Sequence, residues 1–482
     1  MKRFSKIFKI DLEQAELDFV DITPDRDTPL FIDPFAISLR DDAWSETCHQ
    51  HISHFFQSAL DYIKSGEMEK ARVMLNGLSE PNETCLGVSR GKPSGRGVSG
   101  KQALDLYDSL ARSQAARSGV LEELAECDLF IDGIGPDKIS DITTNIIRKL
   151  LIEYTQEQCK LHNVELKGEY PTGRYWDMNM RSWRSGYAAL PVCDQKRLIL
   201  VPKFSVRRNL ALDAQEYYSH HVLNFIRQEE FERNSSLVRV LKSGERRPPT
   251  KKSLEEKFPF SKDFLAQFSE ANSQVLAAYK NFYANIDGAK GVMRNNEFED
   301  DFSEVAFAKA LIENLRAISP GKESAATFHN LIVGTLQFIF WPDLIYPKKE
   351  TPIHNGRKRI DITYTNAAKS GFFYRAHTAH QIASNMVMVE CKNYNKDPSN
   401  PEIDQISGRF STNRGRLGLL IYREVDRYDF LVSRCRDTAQ DGRGFILPLG
   451  DAQLIEYLDL ISRSARSAID QHLERLLSRL LT

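Results

Sequence analysis

Residues 387–394 read VMVECKNY and residues 357–364 read RKRIDITY. Side chains on a strand alternate faces, so Glu390 and Lys392 point to one side of the first stretch and Cys391 to the other. Their neighbours are apolar, and desolvating a carboxylate or an ammonium without a partner is costly. In the second stretch Asp361 sits between Ile360 and Ile362, a second acid in an apolar strand. Adjacent strands would bring Asp361 and Glu390 together, with Lys392 one step along. Two carboxylates suit a hard divalent cation, Mg2+ (or Mn2+), with the backbone carbonyl of Cys391 as a further ligand. Such a cation lowers the pKa of a bound water. A lysine beside it orients or deprotonates that water, or stabilises the developing charge. Phosphodiester hydrolysis needs this set of groups.

Working outward, the pattern predicts a helix over 322–341, strands over 358–365 and 386–392, a helix over 402–411 and a strand over 417–422. The strands are apolar enough to be buried on both faces. The order Asp361, Glu390-Cys391-Lys392, a helix carrying Gln405, then the strand RLGLLIYR (416–423) resembles the PD-(D/E)XK, restriction-endonuclease-like nuclease superfamily. The resemblance covers roughly residues 305–460. It implies an α/β domain with a central mixed sheet flanked by helices, and Asp361 and Glu390 as metal ligands. It also implies a catalytic Lys392, and a Gln405 that supports the site or contacts DNA. Ile360 stands where the motif name has proline. The first helix often supplies a glutamate at a place that here reads ATFHNLIVG, so His329 occupies it, with Glu323 as the other candidate. The plain alternative is a structural ion pair among Asp361, Glu390 and Lys392 in an ordinary α/β domain.

Local charge agrees with an anionic substrate. YPKKETPIHNGRKR (346–359) sets Lys348, Lys349, Arg357, Lys358 and Arg359 against one acid. Arg409, Arg414 and Arg416 follow the second site strand. These flanks are candidate phosphate contacts, with a solvated rim as the bland reading. The whole chain, at a net charge of -1, makes no such case.

At 482 residues the chain is too long for one ordinary core, and two or three domains are expected. The fold class read here is multidomain, an α-rich α+β N-terminal region followed by the α/β domain. We expect an N-terminal domain over 1–205 of sensing or target-selecting role, a helical connection over 206–300 and the nuclease-like domain over 301–482. Residues 1–40 alternate in a strand-like way, notably LDFVDI and PLFIDPFAI. Helical spacing runs from Asp41 to about Leu78, from Gln102 to Ser118, and through DKISDITTNIIRKLLIEYTQEQC after a short strand near 128. KRLILVPK (196–203) reads as a strand, and SGERRPPTKKS (243–253) as loop or linker in a mostly helical stretch.

Seven dispersed cysteines without a CxxC pair argue against a disulfide framework or structural zinc. No signal peptide is read at the start, and the longest apolar stretch, 331–341, is too short to span a bilayer. The expected setting is cytoplasmic. GRGVSGKQ (95–102) matches GxxxxGK, but Gln102 replaces the Ser or Thr that would hold Mg2+, so a surface loop is the better reading. Asp33, Asp137 and Asp141 lie near turns, where Ser140 and Asp141 suit helix capping, and Glu83 could join them in a second acidic site. The leading function is a metal-dependent DNA endonuclease, with restriction or phage defence as the setting the resemblance suggests. The alternatives are an RNA or structure-specific nuclease, and an inactive nucleic-acid-binding scaffold. A homodimer or larger assembly is expected, because a duplex has two strands of opposite polarity. Any translocation would need a separate partner subunit, and no membrane is involved.

Overall fold

The computed structural model describes residues 2–88, 100–285, 292–353, 358–394 and 396–482. About half of the chain is helical. It forms two compact units, one of residues 22–153 and 168–293, the other of 2–21, 154–167 and 294–482.

Around the C-terminal sheet of the second unit, the chain runs through α1 (Glu304–Ala317) and α2 (Ala325–Phe340), followed by strands β1 (Leu344–Ile353) and β2 (Lys358–Asn366). Then come α3 (Gly371–Thr378), β3 (Met386–Lys392), α4 (Asn400–Ser407) and β4 (Leu417–Tyr422). It closes with α5 (Tyr428–Gln440), β5 (Phe445–Gly450), α6 (Asp451–Ser462) and α7 (Ser467–Leu481). The sheet runs β1-β2-β3-β4-β5, antiparallel at its first two junctions and parallel at its last two. It is a mixed sheet flanked by helices. All six residues of β4 are buried, which is why its sequence is continuously apolar rather than alternating.

The two faces of the sheet differ. Val387 and Val389 pair with Tyr364 and Ile362 in the antiparallel register, and all four are buried. On this face the Tyr364 hydroxyl donates to the Val333 carbonyl at 3.0 Å, which fastens α2 to β2. Met388, Glu390 and Lys392 point the other way, towards α4 and Phe410. Met388 is in register with Gly418, where a Cβ would lie 2.7 Å from Ile406 Cδ1 and about as close to the Phe410 ring. Only glycine lets α4 approach β4 that closely.

Strand β1 was not among the expected strands; its sequence was read as a basic flank. Tyr346 has φ +54° and the register shifts between Ile345 and Lys348, so no clean alternation survives to be read. The Tyr346 N–H donates to the buried Asp18 carboxylate at 3.0 Å, which also accepts from the Tyr154 hydroxyl and the Gln337 amide. Asp18 is thus a reason why 2–21 and 154–167 belong with the C-terminal sheet rather than with the rest of the N-terminal region.

The first unit takes in most of the segment expected as a separate connection. Lys280 pairs with Glu123 and the buried Glu126, and Lys262 donates to the carbonyls of Ile131 and Ile134. These contacts tie the helices of 262–284 to residues 123–134. Local differences have equally simple causes. In PLFIDPFAI only Phe31–Ile32 is a strand, because Asp33 caps a helix that Pro34 opens. Residues 127–130 are a helical turn, and the strand in KRLILVPK is confined to Lys196–Arg197. Helices Ala43–Lys64, Met68–Leu75 and Pro136–Leu161 follow the predicted spacing.

Candidate active site

The antiparallel register ends at the pair Ile362 and Val389; continued by one residue it faces Asp361 with Glu390, on the side of the sheet that Met388 shares with α4. Asp361 Oδ2 accepts from the Cys391 N–H at 3.2 Å, which orients it. Glu390 is fully buried. Its Oε1 accepts from Lys392 Nζ at 2.8 Å and its Oε2 from Arg409 Nη1. Lys392 Nζ also donates to Gln405 Oε1 at 3.2 Å. The structure therefore brings together Asp361, Glu390, Cys391, Lys392, Gln405 and Arg409. Burial and then the Asp361 carboxylate push the Glu390 carboxyl above its usual range, against the pull of Lys392 and Arg409. Burial pushes the Cys391 thiol up as well, and both carboxylates add to it. Two acids and two bases share the cluster.

Arg409 does not lie on a rim. It is 6% exposed and its guanidinium is spent on Glu390. Half-buried Arg414 donates to the Arg409 carbonyl at 3.1 Å, and its own N–H is held by Ser411 Oγ. Arg416 is exposed. Lys348 lies 4.6 Å over the Tyr346 ring, and Lys349 is half-buried on β1. Arg357 lies outside the described residues, while Lys358 and Arg359 belong to β2 opposite Ile353 and Pro352. His329 is half-buried one turn before Val333 on α2, the helix that covers the reverse face of the sheet. Glu323 is exposed in the turn before that helix.

Sequence reasoning missed a second polar group beside this one. Asn393 donates to the Gly321 carbonyl at 2.9 Å and to Ser324 Oγ at 3.0 Å, and accepts from Arg423 Nη1 at 3.2 Å. Buried Arg423 pairs with Asp451 at 2.8 Å, donates to the carbonyls of Leu315 and Ile318 and covers the Phe328 ring. Burial raises Asp451 to about 6 despite Arg423. Together they lock the turn between α1 and α2 onto the ends of β3 and β4. The start of α4 is fixed separately. Burial would raise Glu402, but hydrogen bonds from Tyr394 and Ser399 outweigh it and hold the carboxyl at about 2.

The first unit contains the other acids singled out in the sequence. Asp33 caps its helix through Phe35 N and Ala36 N and also accepts from Ala211 N. Glu83 is neutralised by Arg148 and Arg197. Ser140 and Asp141 lie in the second turn of Pro136–Leu161 and do not cap it; Ser140 Oγ accepts from Ile32 N instead. Asp137 and Asp27 converge on Gly87, and burial followed by Asp137, Glu80 and Asp27 pushes Asp141 up to about 8. Burial, Glu80 and Asp137 raise Asp27 to about 6, with Lys196 opposing. Because these acids have raised folded pKa values, their stabilising contribution is complete below about pH 4 and is lost as pH rises through 6 to 8. Asp141→Asn is accordingly expected to raise the thermal midpoint by several degrees at pH 8.5 and to leave it nearly unchanged at pH 4.5. Melting curves at the two pH values check this, and an equal shift at both contradicts it.

Among the described residues, no group of three or more His, Cys, Asp or Glu side chains is arranged to hold a metal ion. Nor is any described helix long and apolar enough to cross a membrane. The GRGVSGKQ match begins outside the described residues.

Compared with known proteins, residues 9–213 match a family model described as a domain of unknown function (DUF8370). No curated protein and no solved structure matches the chain. The family match ends well before Asp361, so the cluster on β2 and β3 is read on its geometry alone.

Proposed function

We propose that the C-terminal unit is a restriction-endonuclease-like phosphodiesterase that cuts DNA with the help of Mg2+. The observation that carries this reading is the placement of Asp361 and Glu390 opposite each other on neighbouring strands, with Lys392 bonded to Glu390 and to Gln405. Asp361 and Glu390 would hold the cation, supported by the carbonyl of Cys391. When bound, Mg2+ supplies a water of lowered pKa and neutralises charge on the phosphate. Lys392, held by Gln405, directs an N–H towards the attacking oxygen or the developing oxyanion. The Cys391 N–H keeps the Asp361 carboxylate aimed into the cluster.

One observation favours a second reading, a structural four-charge cluster in an inactive nucleic-acid-binding scaffold. Both Glu390 oxygens already have cationic partners, and a buried, paired group of this kind needs no cation. The two readings separate when the whole chain is incubated with plasmid, linear duplex, single-stranded DNA and RNA, each with Mg2+, Mn2+ or chelator. Metal-dependent nicking or linearisation of plasmid is the expected result. RNA cut in preference to DNA would move the substrate class, and no cleavage under any condition would leave the scaffold. Light scattering on the same sample tests the expected dimer. Restriction or phage defence is the setting this activity would serve.

A further inference from the structure

Residues 239–252, which overlap the stretch 243–253 read as loop or linker, contain a two-stranded antiparallel ribbon that pairs Arg239 with Arg247 and Val240 with Arg246. Its turn is closed by hydrogen bonds of 2.9 Å from Leu241 N to Glu245 O and from Gly244 N to Leu241 O, with Gly244 at φ +83°. Every residue from 239 to 247 is exposed. The stretch carries six bases, Arg239, Lys242, Arg246, Arg247, Lys251 and Lys252, against the single acid Glu245. The whole chain sums to -1, so this is a sharp local departure.

Like charges directly opposite on a ribbon are destabilising, and a two-stranded hairpin is marginal to begin with. The hairpin nevertheless places arginine opposite arginine. Arg246 roots it by stacking on Phe231 at 4.7 Å and donating to the Phe231 carbonyl, and Arg247 is partly offset by Glu245 at 3.2 Å. Among the described residues, Arg239, Lys242 and Lys252 have no acid within ion-pair distance.

We infer that the 239–247 hairpin, together with Lys252 in the helix Lys251–Lys257 that follows it, is a contact surface for the phosphate backbone of duplex DNA. A two-stranded ribbon fits the major groove, and unpaired bases on its first strand (Arg239), in its turn (Lys242) and in the adjoining helix Lys251–Lys257 (Lys252) complement phosphates along it. Commitment to DNA rests on the function proposed above; the charge argument for a polyanion stands without it.

The test is duplex binding by the whole chain in chelator, followed by fluorescence anisotropy between 50 and 200 mM salt. The variant Arg239→Ser/Lys242→Ser/Lys252→Ser is compared with Arg112→Ser/Lys160→Ser/Lys309→Ser, which removes three exposed bases elsewhere. Losing three phosphate contacts should lower the log–log salt slope by about 2.7, roughly a fortyfold smaller change in affinity across that range. The control should keep the parent slope. Equal slopes for the hairpin variant and the parent would overturn the inference. So would an equal loss in the control, absence of duplex binding by the parent, or tighter binding of the hairpin to anionic phospholipid vesicles. Because chelator removes cleavage from the measurement, a parent that binds through the hairpin yet never cuts would fault the active-site reading alone.

Discussion

Lys392→Met is expected to lower Mg2+-dependent plasmid cleavage by at least about a thousandfold while moving the thermal midpoint by no more than a few degrees. Methionine keeps the length and apolar stem of the side chain, and Glu390 retains Arg409 as its partner. Asp361→Asn and Glu390→Gln should lose activity to a similar degree, since each removes a negative charge from the pair. Glu390→Ala is different. It leaves Lys392 and buried Arg409 without their carboxylate, so a loss of about 3–5 kcal/mol in stability should accompany the loss of activity. The isosteric variants are therefore the informative ones. Full cleavage by any of the three, measured as supercoiled plasmid converted per minute, would remove the assignment.

The second large effect is on stability. Arg423→Met should cost about 3–5 kcal/mol and lower the thermal midpoint by about 10 °C. It strands Asp451 and Asn393 and unties the carbonyls of Leu315 and Ile318 together. The loss should be larger at pH 8 than at pH 5. Asp451 already has a raised pKa; without Arg423 it rises further, so its ionised form at higher pH is the uncompensated one. Calorimetry at both pH values decides it: a midpoint within about 3 °C of the parent at pH 8 would mean that Arg423 is not the lock described.

The strands over 386–392 and 417–422 were legible to the residue because 417–422 is continuously apolar and buried, and 386–392 opens on an apolar run, MVMV, before Glu390 and Lys392. The pairing of Asp361 with Glu390 was legible because a charged residue in such a run has few places to go. Gln405 was placed only by the resemblance to the nuclease superfamily, and its contact with Lys392 fits that place. Arg409 could not, since a basic residue near an exposed turn reads the same whether it points out or folds back onto a carboxylate 19 positions away. Asn393, Arg423 and Asp451 were invisible for the same reason: their roles exist only once α1, α2, β3, β4 and α6 have met. In the first unit, short pieces such as Phe31–Ile32 and Lys196–Arg197 are too brief to carry a period.

Strand β1 bears on how copies of this chain can associate. An edge strand with free N–H and C=O groups invites another sheet to add on, and proteins blunt such edges with prolines, lysines and bulges. Here Pro347 supplies no donor, Lys348 and Lys349 bring charge, the bulge at 345–348 breaks the spacing, and Asp18 takes the Tyr346 N–H. Joining two sheets edge to edge through β1 is thereby disfavoured. A dimer of this protein that met at this edge would have to depend on contacts between side chains rather than on a shared backbone ladder.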